Sequence, residues 1–223
     1  IGKADPILDL WLSGVGLILA AVGYFGPWIP HPTAALTVTG LELAEFAKFF
    51  PQVQGGVVTI RRELFYLPLV AIFILLGILV CRSSRRVIRL IGPLGAGLTL
   101  VAALLPFSAM EAARHALTTP DSFSVAPDSI RQLVLVLGGA LLTLLTPLMS
   151  RLSRRVWGSV VASLTLVGLL PALWQFARVR PLFGALYGRP LGLGWGVVVC
   201  GVGFGLLLLV GLFGSVFRAH RFL

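Results

Sequence analysis

Two short arginine clusters separate long apolar runs, and this alternation constrains the fold more than any other feature of the chain. The six arginines that we predict to anchor the topology are Arg82, Arg85, Arg86, Arg151, Arg154 and Arg155. The flanking apolar runs are each about long enough to cross a hydrocarbon core of ~30 Å. Short loops rich in arginine stay on the cytoplasmic side of a membrane. The clusters therefore predict a chain threaded back and forth, with both clusters facing the cytoplasm.

The composition is that of an integral membrane protein. Hydrophobic residues make up 57% of the 223 residues and charged residues only 12%, whereas soluble domains average about 25% charged residues. The formal net charge of +10 would raise nucleic acid as a partner in a soluble protein. Here the basic residues lie beside apolar runs, where they orient membrane spans. We therefore expect membrane lipids and other membrane protein subunits as partners, and no nucleic acid.

The fold class predicted from the apolar runs is an all-α, polytopic membrane protein with six transmembrane helices in one domain, 1–223. The predicted spans are 7–28, 63–80, 87–107, 130–149, 156–175 and 191–217. This threading puts ten basic residues in very short inner segments and eight in three longer outer loops, so charge density favours cytoplasmic termini. We expect a multi-pass protein of the plasma membrane, the inner membrane of a bacterium. An aromatic exit at Tyr24, Phe25 and Trp28 suits the headgroup region.

The first outer loop, 31–63, contains the signature of a short amphipathic helix. Thr39 followed by Glu42 makes a capping box. The apolar residues after it are spaced as on one helical face: Leu43, Phe46, Ala47 and Phe50. This pattern predicts a helix on the outer membrane face or on the tops of the spans. The residues predicted to form a docking surface on it are Glu42, Glu45, Phe46 and Phe50. The alternative is a loop held down by its phenylalanines.

The third outer loop, 177–190, carries three arginines and no acidic residue. Arg178, Arg180 and Arg189 could contact anionic lipid headgroups or a partner chain. The sequence therefore predicts an anion-binding or partner-binding surface in this loop.

No catalytic, cofactor-binding or metal site is predicted. The histidines His31, His115 and His220 lie outside the spans, so a haem held between helices has no ligands there. Cys81 and Cys200 form no CxxC pair, and we expect both to be packing residues. The glycines of the last span are spaced for helix packing rather than for a phosphate-binding loop.

Three classes of function are compatible with such apolar spans. The first is a non-catalytic integral membrane subunit that packs with partner chains or lipids in a larger assembly. The second is a transporter component, a six-span permease served by a separate ATPase, although the inner loops are short for such coupling. The third is a lipid-modifying enzyme, for which no acid–base pair is visible. We expect the first.

Overall fold

The computed structural model describes residues 6–30, 37–83, 85–105, 127–149 and 153–216, and these residues form a helical bundle. Its α-helices are α1 (Pro6–Phe25), α2 (Gly40–Phe46), α3 (Pro51–Gln54), α4 (Leu67–Val80), α5 (Arg86–Leu104), α6 (Pro127–Leu144), α7 (Thr146–Met149), α8 (Arg154–Tyr187) and α9 (Trp195–Val216). Two 3₁₀ turns occupy Ala47–Phe49 and Arg62–Tyr66, and strands β1 (Pro27–Ile29) and β2 (Val38–Thr39) pair antiparallel.

The predicted all-α membrane class is confirmed, and five helical segments are long and apolar enough to cross a membrane. These segments are Leu8–Phe25, Arg62–Val80, Arg86–Leu104, Arg155–Tyr187 and Trp195–Phe213. The remaining predicted span, 130–149, corresponds to α6 and α7, where the continuous apolar helix Ser129–Leu144 is shorter.

The helices α6 and α7 are separated at Leu145, two residues before Pro147. Pro147 has no N–H to donate to the Thr143 carbonyl, so the α-helical ladder is interrupted there. The Thr146 hydroxyl donates to that same carbonyl at 2.7 Å, which satisfies it without water, as an apolar surrounding requires. The predicted span 130–149 is therefore divided between two helices, and its crossing of the membrane stays a prediction.

The central element of the bundle is α4. It contacts α1, α5, α6 and α8, and 61% of its apolar window is buried, the largest share among the five long segments. Its sequence, LPLVAIFILLGILV, is apolar on every side. A helix that is hydrophobic all round is expected to be surrounded by other elements, and α4 is.

Glycines bring α1 and α9 into backbone contact. A Cβ placed on Gly23 would lie 2.1 Å from the Cys200 amide nitrogen, and one on Gly203 would lie 2.3 Å from the Ala20 nitrogen. Gly16 meets Gly203 whereas Gly23 meets Cys200, so the two helices run antiparallel. The predicted packing role of the glycines in the last span accounts for the contact between α1 and α9, because only glycine lets two helix backbones come this close.

The helix α8 is longer than the predicted span 156–175. It continues through most of the predicted third loop to Tyr187, giving a length of about 50 Å at ~1.5 Å per residue. Phe176, Val179 and Phe183 are buried along one side of this extension, which supplies the packing that keeps it helical. The helix ends at Gly188, whose φ of 64° is the left-handed conformation that favours glycine.

Candidate functional site at the capped end of the bundle

The segment 38–54, which we call the cap, covers one end of the bundle. This capped end is where α1 ends and α4 begins; the opposite, arginine end is where α4 ends and α5 begins. The predicted capping box opens the cap. The Thr39 N–H donates to Glu42 Oε2 at 2.8 Å, and the Glu42 N–H donates to Thr39 Oγ1 at 3.3 Å. These two bonds fix the start of α2.

The cap is docked by small and aromatic side chains. Leu43, Ala44 and Ala47 are buried, and the Phe50 ring meets the Phe183 ring of α8 edge-on at 4.7 Å between centroids. The part of α8 that extends beyond the predicted span thus packs against one side of the cap.

The placement of Phe46 corrects the predicted apolar face. The predicted face included Phe46, but this side chain is 41% exposed, while Phe50 is buried. The buried face of α2 is centred on Gly40, Leu43 and Ala44, and Phe46 points about 110° away from that centre at ~100° per residue. Phe49, in the following 3₁₀ turn, is 65% exposed. The cap therefore displays two phenylalanines rather than burying them.

An ionic network ties the cap to the beginning of α4. Glu45 accepts hydrogen bonds from Lys48 Nζ at 2.6 Å and from the Tyr66 hydroxyl at 2.9 Å, and Arg62 Nη1 lies 3.8 Å from its carboxylate. Burial alone would raise the pKa of the Glu45 carboxyl. The bonds from Lys48 and Tyr66 and the charges of Lys48 and Arg62 together lower that pKa below its usual value.

Two further contacts hold the capped end together. Glu63 pairs with Arg131 of α6 at 3.8 Å, and the Tyr24 hydroxyl donates to the Phe65 carbonyl at 3.0 Å. Each contact joins elements that are distant in the sequence, so the capped end is held in one arrangement.

The predicted aromatic exit of the first span is wrong for two of its three residues. Tyr24 and Trp28 are fully buried, whereas Phe25 is half exposed. The Trp28 Nε1–H donates to the Gly23 carbonyl at 3.1 Å, and its ring meets Phe176 edge-on at 5.4 Å. Because β1 and β2 turn the chain back over the bundle, Trp28 is packed inside it instead of reaching the headgroups.

One buried polar side chain in this half of α8 has no partner among the described residues. Both amide atoms of Gln175 lack a hydrogen bond, and the residue is 1% exposed. By contrast Gln132 of α6, which is also buried, donates to the Leu104 carbonyl at 2.9 Å. An unsatisfied buried amide is unfavourable by about 1–3 kcal/mol.

The three predicted loop arginines do not converge. Arg178 stacks its guanidinium over Trp174 at 5.0 Å, and Arg180 donates from Nε and Nη2 to the Leu191 carbonyl. Residues two apart on a helix point about 200° from each other. The Arg189 side chain is exposed beyond the helix end. Binding of headgroups by these arginines stays a prediction, and Arg180 is engaged within the chain.

The predicted topology anchors are partly described. Arg82 places its guanidinium over the Trp157 ring at 4.7 Å, and Arg85, Arg86 and Arg155 are exposed at the arginine end. Arg151 and the side chain of Arg154 lie outside the described residues. Where described, these arginines lie at one end of the bundle, as the alternation of spans requires.

Sequence reasoning missed Arg62 and Tyr66 as members of the capped-end network. A signal was present, because Arg62 and Glu63 stand immediately before an apolar run in which ionisable residues need partners. Their partner Glu45 lies 21 residues from Tyr66, so the pairing depends on the tertiary fold.

Among the described residues, no group of three or more histidine, cysteine, aspartate or glutamate side chains comes together in a way that could hold a metal. Comparisons of the chain with protein-family models, with curated proteins and with solved structures find no match. Its function is therefore inferred from its own geometry.

Proposed function

We propose that the protein is a non-catalytic integral membrane subunit that binds a partner chain through its cap. The observation that supports this proposal is the pair of phenylalanines, Phe46 and Phe49, displayed outside the five long apolar segments. They project from a segment that is anchored by the capping box, by the Glu45 network and by Phe50. Exposed aromatic side chains on an ordered surface are typical of the centres of protein interfaces.

The bonding of the polar side chains supports a structural rather than a catalytic role. Glu45 and Glu63 are held in ion pairs. Four buried serine and threonine hydroxyls donate to carbonyls three or four residues earlier in the chain: Ser13 to Asp9, Thr143 to Gly139, Thr146 to Thr143, and Thr165 to Val161. Hydroxyl groups bonded in this way stabilise helices in an apolar surrounding.

The proposed membrane arrangement has six crossings, with both termini and the arginine clusters on the cytoplasmic side of the inner membrane. Residues 127–149, taken through the break at Pro147, span about 34 Å at ~1.5 Å per residue, enough for a core of ~30 Å. The contacts along the bundle support alternating directions. Leu100 of α5 lies against Gly139 of α6, and Gln132 reaches Leu104, so these two helices are antiparallel.

Purification in mild detergent tests the proposal. We expect stoichiometric partner chains to remain with the wild-type protein and to be lost from the double variant Phe46→Ser and Phe49→Ser. The matched control is Leu193→Ser, which removes an exposed apolar side chain (56% exposed) outside the cap. A wild-type protein that purifies alone, or equal losses in both variants, would contradict the proposal.

The same experiment separates the alternatives. A retained ATPase would favour the permease, and turnover of bound lipid would favour the lipid-modifying enzyme. No contact among the described residues specifically favours either alternative.

A further inference from the structure

A cavity at the arginine end is built from residues of α5, of α7 and of the turn after α4. It has a volume of about 220 Å³ and is lined by Cys81, Arg86, Arg89, Leu90 and Pro147. A buried water needs only roughly 10–15 Å³ by the same measure. The cavity therefore has room for a small polar group such as a phosphate.

Two guanidinium groups line this cavity. Arg86 and Arg89 are three residues apart on α5, so their side chains are neighbours on the helix surface. Among the described residues neither has a carboxylate within ion-pair distance. Paired guanidiniums suit the oxygens of a phosphate, which they can bind through two parallel hydrogen bonds each.

The beginning of α5 adds to the positive potential. Its N-cap residue is Arg85, no side chain caps the helix, and its first turn contains no acidic residue. Basic side chains at a helix N-terminus oppose the helix dipole. A bound anion would relieve both the repulsion between the arginines and the unpaired amides of the first turn.

Cys81 lines the cavity and contacts groups next to two prolines, Pro93 and Pro147. Pro93 has no N–H to donate to the Arg89 carbonyl, and the Cys81 thiol donates to that carbonyl instead at 3.9 Å. The same sulfur lies 3.6 Å from the Thr146 hydroxyl, which satisfies the carbonyl freed by Pro147. Cys81 therefore contacts both α5 and α7 next to their prolines. These contacts hold in place the part of α5 that carries Arg86 and Arg89.

An apolar ridge leads away from the cavity along α5. Leu90, Leu94 and Leu98 follow one another at intervals of four residues, and all three are exposed. A free phosphate has no apolar group that could contact this ridge, whereas the acyl chains of a phospholipid would cover it. We propose that the cavity binds the phosphate of an anionic phospholipid, with its headgroup between Arg86 and Arg89 and its chains along Leu90, Leu94 and Leu98.

Lipid binding to the intact protein in a neutral detergent tests this proposal. Phosphatidylglycerol, phosphatidylcholine and inorganic phosphate are added separately. Native mass spectrometry counts the bound lipid, and thermal unfolding gives the melting temperature for each addition. We expect phosphatidylglycerol to bind in preference to phosphatidylcholine and to raise the melting temperature. Equal binding of the two lipids by the wild-type protein would overturn the proposal before any variant is made.

The variants locate the site. Arg86→Gln and Arg89→Gln should each weaken phosphatidylglycerol binding about tenfold or more, since each removes charge-assisted hydrogen bonds to the phosphate. The matched control Arg85→Gln removes a neighbouring charge that does not line the cavity, so only the general attraction of a basic residue near a membrane surface is lost and binding should weaken about fivefold at most. Equal weakening in all three variants would show a diffuse surface attraction and overturn the site.

Two further arms complete the design. The variant carrying Arg86→Lys and Arg89→Lys keeps the charge but loses the two-point geometry, so it should bind more weakly than the wild type even if the glutamine variants fold poorly. Stabilisation by inorganic phosphate equal to that by phosphatidylglycerol would assign the cavity to a free anion. Displacement of the lipid by an acidic peptide, with no loss of stability, would assign it to a partner chain. Either result would overturn the lipid proposal.

Discussion

Replacing Gly203 by alanine tests the close packing of α1 against α9 most directly. The added Cβ would lie 2.3 Å from the Ala20 nitrogen, 2.6 Å from the Gly16 carbonyl oxygen and 2.8 Å from the Ala20 Cα. The shortest of these distances falls 1.1 Å below the 3.4 Å lower limit of ordinary contact. All three obstructing atoms belong to the backbone, so no side chain of α1 can move aside and the helices must separate.

The size of the effect follows from that separation. Opening a packed contact by 0.5–1 Å forfeits about a quarter to a half of its dispersion energy, and overpacking generally costs about 1–3 kcal/mol. Gly205, on the same helix, provides the control, because a Cβ there meets nothing within 4 Å. Both variants gain the same helix propensity from alanine. The difference between them therefore isolates the steric clash, and we expect it near the upper end of that range.

Thermal unfolding in one detergent, followed by tryptophan fluorescence, measures the difference. We expect Gly203→Ala to melt roughly 5–10 °C below Gly205→Ala, from about 2–4 °C per kcal/mol for a chain of this size. Gly23→Ala should behave like Gly203→Ala, since its Cβ would lie 2.1 Å from the Cys200 nitrogen. Indistinguishable melting of the Gly203 and Gly205 variants would refute the backbone contact between α1 and α9.

The capped end allows two further predictions. Gln175→Met should raise the free energy of unfolding by about 1–3 kcal/mol because it removes an unsatisfied buried amide. Gln132→Met should lower the free energy of unfolding because the bond to Leu104 is lost. Chemical denaturation checks both signs, and a loss of stability in both variants would contradict the conclusion that the Gln175 amide is unsatisfied. Because the pKa of Glu45 is lowered in the folded state, its stabilisation is present above the unfolded pKa and is lost as the pH falls through the folded value. The free energy of unfolding should therefore fall on acidification, by less than about 1 kcal/mol given the exposure of this carboxylate, and the melting temperature should fall with it. Both falls should be shallower in Glu45→Gln, and an unchanged pH profile in that variant would count against the network.

The features that could be predicted from the sequence were those encoded locally. The apolar runs and the capping box of Thr39 and Glu42 depend on residues within one or two helical turns, and both are present in the fold. The end of α8 was also encoded locally, in the spacing of Phe176, Val179 and Phe183 and in Gly188. It was missed because Pro181 and the nearby arginines are typical of loops, and tertiary packing outweighed that tendency.

The features that could not be predicted depend on pairing across the chain. Trp28 lies beside an apolar span, where an aromatic residue is expected at the headgroups, yet it is part of the strand β1 that pairs with β2 and is buried against Phe176. Glu45 shows no sign in the sequence that its partners are Tyr66 and Arg62. Such contacts become visible only once the helices are assembled, so the candidate site was predicted in its helix and not in its bonding.

The two ends of the bundle satisfy polar groups by different means, and this difference follows from where the helices are broken. At the arginine end, Pro93 and Pro147 each free a carbonyl in an apolar surrounding, where an unsatisfied carbonyl is unfavourable by several kcal/mol. A short side chain with one donor can reach each carbonyl, and Cys81 and Thr146 do so. Among the described residues no carboxylate lies within ion-pair distance of Arg86 or Arg89, which is why we propose an external anion for these two charges. At the capped end the carboxylates of Glu45 and Glu63 are engaged by basic side chains of the same chain, and the described surface of the cap exposes Phe46 and Phe49, which suit a protein partner rather than an ion.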